Sequence, residues 1–236
     1  MGKIKLKEKE KDFLIENKHH IIDGDWDGFF EAIRDLGLSH IFLFCLECVP
    51  DLMYKITRLP DYAFYDSDIK SIVIPNNIKE IGSGAFGWCK SLTNITIPDG
   101  VTKIDDYAFY KCSSLTNIKI PNNVTEIGDW AFESCTSLKS ITIPNSVTEI
   151  RWRVFCHCSS LTNITIPDSV TFIESTAFYG CESFTSIDVP DSVRGVGSSV
   201  FSDCKNLKRI SIPKHLVDNK TFLVGIPKDC KIEVRE

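Results

Sequence analysis

Two short clusters of cysteine and histidine have spacings that could support metal or redox chemistry. Cys45 and Cys48 are separated by two residues, which is the spacing of half a zinc site or of a redox pair. Cys156, His157 and Cys158 follow one another directly. A zinc site needs four ligands, and neither a second cysteine pair nor a pair of histidines at ligand spacing is present. We therefore expect no metal and no cofactor, with a metal or redox protein using Cys45 and Cys48 as an alternative.

The sequence also lacks the motifs of common enzyme classes. None of its 5 histidines falls in an HExxH motif, and there is no GxSxG nucleophile elbow, phosphate-binding loop or dinucleotide-binding fingerprint. Catalysis needs polar groups that converge in a pocket, and no pattern here indicates such convergence. The sequence predicts a protein that is not an enzyme.

The net charge and the hydropathy of the sequence indicate which classes of partner and which cellular compartment to expect. The formal net charge is -5, which disfavours a binder of the phosphate backbone, so nucleic acid is expected only as part of a partner complex. The most apolar window, residues 41–49, is much shorter than the roughly 20 residues of a membrane-spanning helix. The first residues lack a signal-peptide pattern. We expect no membrane association, a cytoplasmic location and reduced cysteines.

A period of 23 residues runs through most of the chain. It is carried by phenylalanine, cysteine and proline, and the register does not slip over six units. The members of the series are Phe86, Phe109, Phe132, Phe155, Phe178 and Phe201; Cys89, Cys112, Cys135, Cys158, Cys181 and Cys204; and Pro75, Pro98, Pro121, Pro144, Pro167, Pro190 and Pro213. Such a period predicts a repeat protein, and it explains the cysteines as core residues.

Each unit has the pattern of one coil of a solenoid. Ile95 and Ile97 have the two-residue spacing of a strand that faces a core, and Pro98 ends that strand. Val101 and Ile104 indicate a second extended segment, and Phe109 is expected to enter the core from a short helical or 3₁₀ turn. One coil cannot bury these side chains alone, so neighbouring coils must stack.

The units resemble the BspA-like class of leucine-rich repeats. The stretch IPDGVTKIDDYAFYKCSSLTNIKIP is close to that consensus throughout, and the resemblance covers about residues 56 to 213. Local departures include Arg151-Trp152-Arg153-Val154 in place of the usual Gly-x-x-Ala. The resemblance implies a leucine-rich-repeat solenoid with one short strand and a helical or 3₁₀ turn per coil, and a role in adhesion or protein interaction.

The period also divides the chain. Residues 1–50 lack the repeat, and an apolar face at helical spacing after Asp25 predicts an N-terminal helical cap. Residues 51–213 form the solenoid, with a divergent first unit followed by six regular units. Residues 214–236 are expected to supply a C-terminal capping strand.

Two surfaces of the predicted solenoid could bind a partner. The first combines residues that depart from the repeat with tryptophan and arginine, which are frequent interface hot spots, although packing between coils could also explain each tryptophan. Its members are Trp88, Trp130, Arg151, Trp152, Arg153, His157 and Phe172. The alternative is the polar, concave strand face, with Asn94, Asn117, Lys119, Asn163, Asp188 and Arg209.

These observations predict a non-enzymatic, intracellular scaffold that binds a protein partner through its exposed surface. For a cytoplasmic chain, an inhibitor or adaptor of a microbe or phage that occludes a larger enzyme, such as a nuclease effector, fits best. The alternative is an exported surface adhesion protein of the BspA type. The oligomeric state stays open at this level.

Overall fold

The structure is a computed structural model that describes residues 56–219 and 221–236, together with Glu16, which lies in a helix. The remainder of the predicted N-terminal cap, including Cys45 and Cys48, lies outside the described residues. The strands are β1 (Arg58–Leu59), β2 (Ser71–Val73), β3 (Glu80–Ile81), β4 (Asn94–Thr96), β5 (Lys103–Ile104), β6 (Asn117–Ile118), β7 (Glu126–Ile127), β8 (Ser140–Ile141), β9 (Glu149–Ile150), β10 (Phe172–Ile173), β11 (Ser186–Asp188), β12 (Gly195–Val196), β13 (Arg209–Pro213) and β14 (Lys231–Arg235).

All strand pairs of the described residues are parallel, and each strand pairs with an equivalent strand in at least one neighbouring coil. One column contains β1, β3, β5 and β7, and continues through β9, β10 and β12. The other contains the pairs β2 with β4 and β6 with β8, and the group β11, β13 and β14. The predicted leucine-rich-repeat solenoid is confirmed. The second extended segment expected around Val101 and Ile104 is present as a short strand, which is β5 (Lys103–Ile104) in that coil.

The segment that carries the Ala-Phe pair consists of consecutive turns. In one coil Tyr107 and Lys111 both have left-handed backbone conformations, with φ of 56° and 58°. Two such residues only four positions apart prevent a regular helical turn, which needs negative φ throughout. Alternate backbone N–H groups donate to the next coil, for example from Phe86 to the carbonyl of Ala108 at 2.8 Å, and those between them donate to the carbonyl three residues earlier, as from Gly87 to Gly84 at 2.8 Å. The bonds between coils hold neighbouring coils in register.

The core is a stack of phenylalanine rings along the solenoid axis. Successive rings lie nearly parallel, with centroids 5.1 to 5.8 Å apart. Each of these side chains is fully or almost fully buried, namely Phe64, Phe86, Phe109, Phe132, Phe155, Phe178 and Phe201. Offset stacking adds to the gain from burying large apolar rings. The repeat therefore stabilises the chain through contacts between coils.

The C-terminal segment adds one more, irregular coil. It contains two 3₁₀ helices, η1 (Lys214–Leu216) and η2 (Thr221–Leu223), and Phe222 is completely buried. The strand β14 then pairs with β13 over five residues. Within the described part of the chain, no helix has the length and apolar character that a membrane span requires.

Candidate protein-interaction surface

Five aromatic side chains form a continuous line across four coils, which we call the aromatic ridge. It consists of Trp88, Tyr110, Tyr107, Trp130 and Trp152. The ring centroids are 6.2 Å apart for Trp88 and Tyr110, 5.7 Å for Tyr110 and Tyr107, 4.6 Å for Tyr107 and Trp130, and 4.2 Å for Trp130 and Trp152. Trp152 is 38% exposed, and the other four are half-buried. The ridge is therefore partly open to solvent along its length and most exposed at Trp152.

The repeat explains why these rings meet. Tyr107 and Trp130 occupy equivalent positions one coil apart, so their rings stack with an angle of 11° between their planes. Trp152 occupies a position that is polar in the preceding coils. Asp106 and Asp129 hold this position in the two preceding coils. Asp106 accepts a hydrogen bond from the backbone N–H of Asp129 at 2.8 Å, and Asp129 accepts one from the backbone N–H of Trp152 at 3.2 Å. Trp152 ends this series and adds a ring to the ridge.

Lysine side chains supply positive charge beside the ridge. The ammonium group of Lys111 lies 4.0 Å from the ring centroid of Trp88 and 5.1 Å from that of Tyr110. Lys90 also lies over Trp88, at 4.8 Å. Such cation–π contacts contribute roughly 0.5–1 kcal/mol at exposed sites. The sequence prediction missed both lysines, although Lys111 follows Trp88 by one repeat of 23 residues.

The two arginines beside Trp152 are paired with carboxylates. Arg151 contacts Glu126 at 3.0 Å, and Arg153 contacts Glu133 at 2.9 Å. The positive charge that Arg151 and Arg153 bring to this surface is therefore largely neutralised, because each guanidinium reaches an acidic side chain of a preceding coil. The positive charge next to the ridge comes from the lysines.

Glu133 is a buried carboxylate at the edge of the ridge. It is only 6% exposed, and its Oε2 has no hydrogen-bond partner, nor does Nε of Arg153. Burial raises the pKa of Glu133, and the nearby positive charge of Arg153 acts in the opposite direction. Burial likewise raises the pKa of the neighbouring Cys156 thiol to about 11. Cys156 is therefore a protonated thiol at neutral pH and a poor nucleophile.

His157 and Phe172 occupy separate places. His157 is exposed and meets Tyr179 edge to face, with ring centroids 5.2 Å apart. Phe172 lies on β10 in the strand column, 40% exposed, between Glu149 and Gly195 in the register. A Cβ atom at Gly195 would come within 2.5 Å of the Phe172 ring. The ring thus covers a position that requires glycine, and Phe172 is not a member of the aromatic ridge.

The alternative surface is polar and contains a groove. Asn94, Asn117, Lys119, Asn163 and Asp188 are exposed, and Arg209 is half-buried. Arg209 contacts Asp188 at 2.7 Å and Glu233 at 3.2 Å. A groove of about 480 Å³ has Asn163 and Asp188 among its lining residues. This face offers hydrogen bonds and ion pairs, whereas the ridge offers aromatic surface.

The described residues show neither a metal-binding cluster nor a thiol with a lowered pKa. Among them, no group of three or more His, Cys, Asp or Glu side chains is arranged to hold a metal ion. Burial raises the pKa of every cysteine of the 23-residue series. Their thiols donate to backbone carbonyls, as from Cys135 to Phe109 at 3.1 Å. Their contribution is structural.

Paired parallel strands, a buried phenylalanine stack and coil-to-coil hydrogen bonds define a repeat solenoid with an exposed aromatic surface. The family model "BspA type Leucine rich repeat region (6 copies)" matches residues 57–181 and 149–224. The chain belongs to the BspA-type leucine-rich-repeat family, as its resemblance predicted. A comparison with curated proteins found no match. A leucine-rich-repeat solenoid is suited to binding proteins.

Solved structures of bacterial leucine-rich-repeat proteins are similar to the chain. The leucine-rich-repeat protein of T. pallidum is 29% identical over 75% of this chain and 81% of its own, with a TM-score of 0.63. A protein from Eubacterium ventriosum is 30% identical over 62% of this chain and 46% of its own, with a TM-score of 0.49. A leucine-rich cell surface protein from Faecalibacterium prausnitzii is 25% identical over 76% of this chain and 64% of its own, with a TM-score of 0.41.

Proposed function

We propose that the chain is a non-enzymatic scaffold that binds a protein partner through the aromatic ridge. The observation that carries this proposal is the unbroken contact of five rings from Trp88 to Trp152, with Trp152 38% exposed at one end. Large aromatic side chains surrounded by a polar rim are typical of the centres of protein interfaces.

Packing between coils is the competing explanation for each ring. It accounts well for Tyr107 and Trp130, which stack on each other and are half-buried. It accounts less well for Trp152, because small or acidic residues fill the equivalent position in other coils, as Asp129 and Ser175 do. An exposed tryptophan at a position that tolerates polar residues favours a contact outside the chain.

The finer part of the proposal concerns the cell. We propose an intracellular inhibitor or adaptor that occludes a larger enzyme, such as a nuclease effector. This part rests on the expected cytoplasmic location and on the shape of a rigid solenoid, which can cover an active site without contributing chemistry. A purified partner should lose activity on addition of the chain, in proportion to the fraction bound.

The test compares three forms of the chain in capture from the native cytosol followed by titration of the purified partner. These are the wild type, the double variant Trp130→Ala with Trp152→Ala, and Phe172→Ala. Phe172 is a matched control, because its exposure of 40% equals that of Trp152 within a few per cent while it lies in the strand column. Each hot-spot tryptophan should be worth about 2 kcal/mol or more of binding free energy.

The proposal requires the partner to bind wild type and Phe172→Ala alike and the double variant at least about 30-fold more weakly. Equal binding to the double variant, at unchanged folded content by circular dichroism, would assign the rings to packing alone. Loss of binding in Phe172→Ala only would move the site to the strand column. If a bound enzyme keeps its activity at saturation, the inhibitor role is wrong and the scaffold role stands.

A further inference from the structure

The C-terminal end of the solenoid exposes residues that continue the core. In the β13 and β14 pair, Ile232 aligns with Ile210 and Val234 with Ile212. Ile210 and Ile212 are 0% and 1% exposed, whereas Ile232 and Val234 are 40% and 49% exposed. Val224, on the same final coil, is 58% exposed. Among the described residues, the apolar column of the solenoid thus reaches the surface at β14.

The outer edge of β14 also presents backbone groups that can form hydrogen bonds. β13 and β14 are five residues long, whereas the other strands have two or three. Within the described residues, no strand pairs with the outer edge of β14. The N–H of Lys231 donates to the carbonyl of Lys208 at 2.8 Å, so by alternation the backbone groups of Ile232 and Val234 face outward. A long, partly apolar free edge favours pairing with another strand.

The charged side chains along β14 are complementary to those of a second, antiparallel copy of the same strand. Asp229, Lys231, Glu233 and Arg235 carry alternating signs at every second position. In an antiparallel pair of two identical strands centred on Ile232, Lys231 faces Glu233 of the second copy, and Asp229 faces Arg235 of the second copy. In the register centred on Glu233, this carboxylate would face itself, and Lys231 would face Arg235. Opposite charges stabilise cross-strand pairs and like charges destabilise them.

We propose that two copies of the chain associate through β14, antiparallel about a two-fold axis, with Ile232 opposite Ile232 of the second copy. On the core side of the sheet, Val234 then faces Cys230 of the second copy, and the exposed apolar side chains cover each other. The charged side chains exchange partners from within the chain, such as Lys231 with Glu233 at 2.7 Å, for the equivalent ones across the interface. Exposed pairs of this kind are weak, so their exchange is easy.

Single charge reversals and their mixture test both the association and its register. Lys231→Glu places two pairs of carboxylates opposite each other, and Glu233→Lys does the same with ammonium groups. Each variant alone should dimerise about tenfold or more weakly than wild type. An equimolar mixture should dimerise again, because the two variants then offer each other only opposite charges. Sedimentation equilibrium distinguishes the 26.6 kDa chain from a dimer, and circular dichroism checks that each variant is folded.

A disulfide at the two-fold axis tests the geometry directly. Directly opposed residues that exchange hydrogen bonds have Cα atoms about 5.5 Å apart, which suits a disulfide. In a Cys230→Ser background, Ile232→Cys should form a cross-linked dimer on mild oxidation. The matched control Val234→Cys in the same background should not, because position 234 faces the serine.

Three results would overturn the proposal. The first is a wild-type chain that stays monomeric at 100 μM, which would mean that the charges protect the edge or that another segment or partner covers it. The second is stronger association of Lys231→Glu, which only the register centred on Glu233 predicts. The third is equal cross-linking of Ile232→Cys and Val234→Cys.

Discussion

The thiol of Cys112 donates a hydrogen bond to the backbone carbonyl of Phe86, with 3.0 Å between Sγ and the oxygen. The same bond recurs at every cysteine of the series, and joins each coil to the one before it. In the first coil, which lacks the cysteine, Ser67 takes the equivalent position, and its Oγ lies 3.5 Å from Sγ of Cys89. The position therefore calls for a small side chain that can donate a hydrogen bond.

We predict that Cys135→Ala destabilises the chain more than Cys135→Ser does. Alanine removes the donor to Phe109 and leaves a small void, which together cost about 1–3 kcal/mol. Serine keeps a donor, as Ser67 does in the first coil. Urea unfolding of the two variants and the wild type measures the difference. A more stable alanine variant would show that the thiol acts only as a small apolar side chain.

We predict that the described thiols differ sharply in reactivity. Cys230 is the only one of them that is partly exposed, whereas Cys156 and the cysteine series are buried. Burial also raises the pKa of Cys156 to about 11 and that of Cys204 to about 12, which keeps both protonated at neutral pH. Brief treatment of dilute, monomeric protein with iodoacetamide at pH 7.5, followed by peptide mass spectrometry, should label Cys230 first and the buried thiols only in denaturant. Early labelling of Cys156 would contradict its placement.

The sequence predicted the core because packing in a solenoid repeats with the chain. Phe132 and Cys135 have equivalents at each step of 23 residues, and each must meet the same neighbours one coil away. The inward positions of Ile95 and Ile97 followed from alternation along a strand. The turns around Tyr107 were not predicted, because their left-handed residues are mostly not glycine, and so the usual signal for positive φ is missing.

The candidate site was only partly predictable, because its side chains occupy variable positions. The sequence singled out Trp130 and Trp152 as departures from the repeat, and the structure connects them through Tyr107 to the rest of the ridge. It did not indicate that Arg153 would reach back to Glu133. The direction of a long, flexible side chain depends on its local partners and rotamer, which the repeat does not encode.

We predict that Phe132→Ala lowers the free energy of unfolding by about 3–5 kcal/mol. The ring stacks on Phe109 on one side and on Phe155 on the other, so its loss leaves a void between two coils. Phe172→Ala removes the same side chain from an exposed site and should cost less than about 1 kcal/mol. Urea unfolding followed by circular dichroism provides both values. Similar costs for the two variants would contradict a core that runs through the central coils.

The last prediction concerns the buried carboxylate Glu133. Burial raises its pKa above the ordinary value of 4.5, so the folded chain holds this proton more tightly than the unfolded chain does. The resulting stability is fully present below pH 4.5 and is lost as the pH rises through the folded-state pKa. Glu133→Gln cannot lose a proton. We therefore expect its stability to fall less than that of wild type as the pH rises from 4 to 7.

Arg153→Gln provides the opposite change at the same site. The positive charge of Arg153 lowers the pKa of Glu133 and so opposes the effect of burial. Without this guanidinium the pKa of the carboxyl should rise further, and the loss of stability with rising pH should become steeper. Removal of one partner of a completely buried ion pair costs about 3–5 kcal/mol at neutral pH. Arg153→Gln should cost less than this, because the side chain of Arg153 is 33% exposed. Urea unfolding at pH 4, 5, 6 and 7 gives the three slopes. Parallel curves for wild type and Glu133→Gln would mean that Glu133 is solvated in solution, and its unpaired Oε2 would then be accounted for by water.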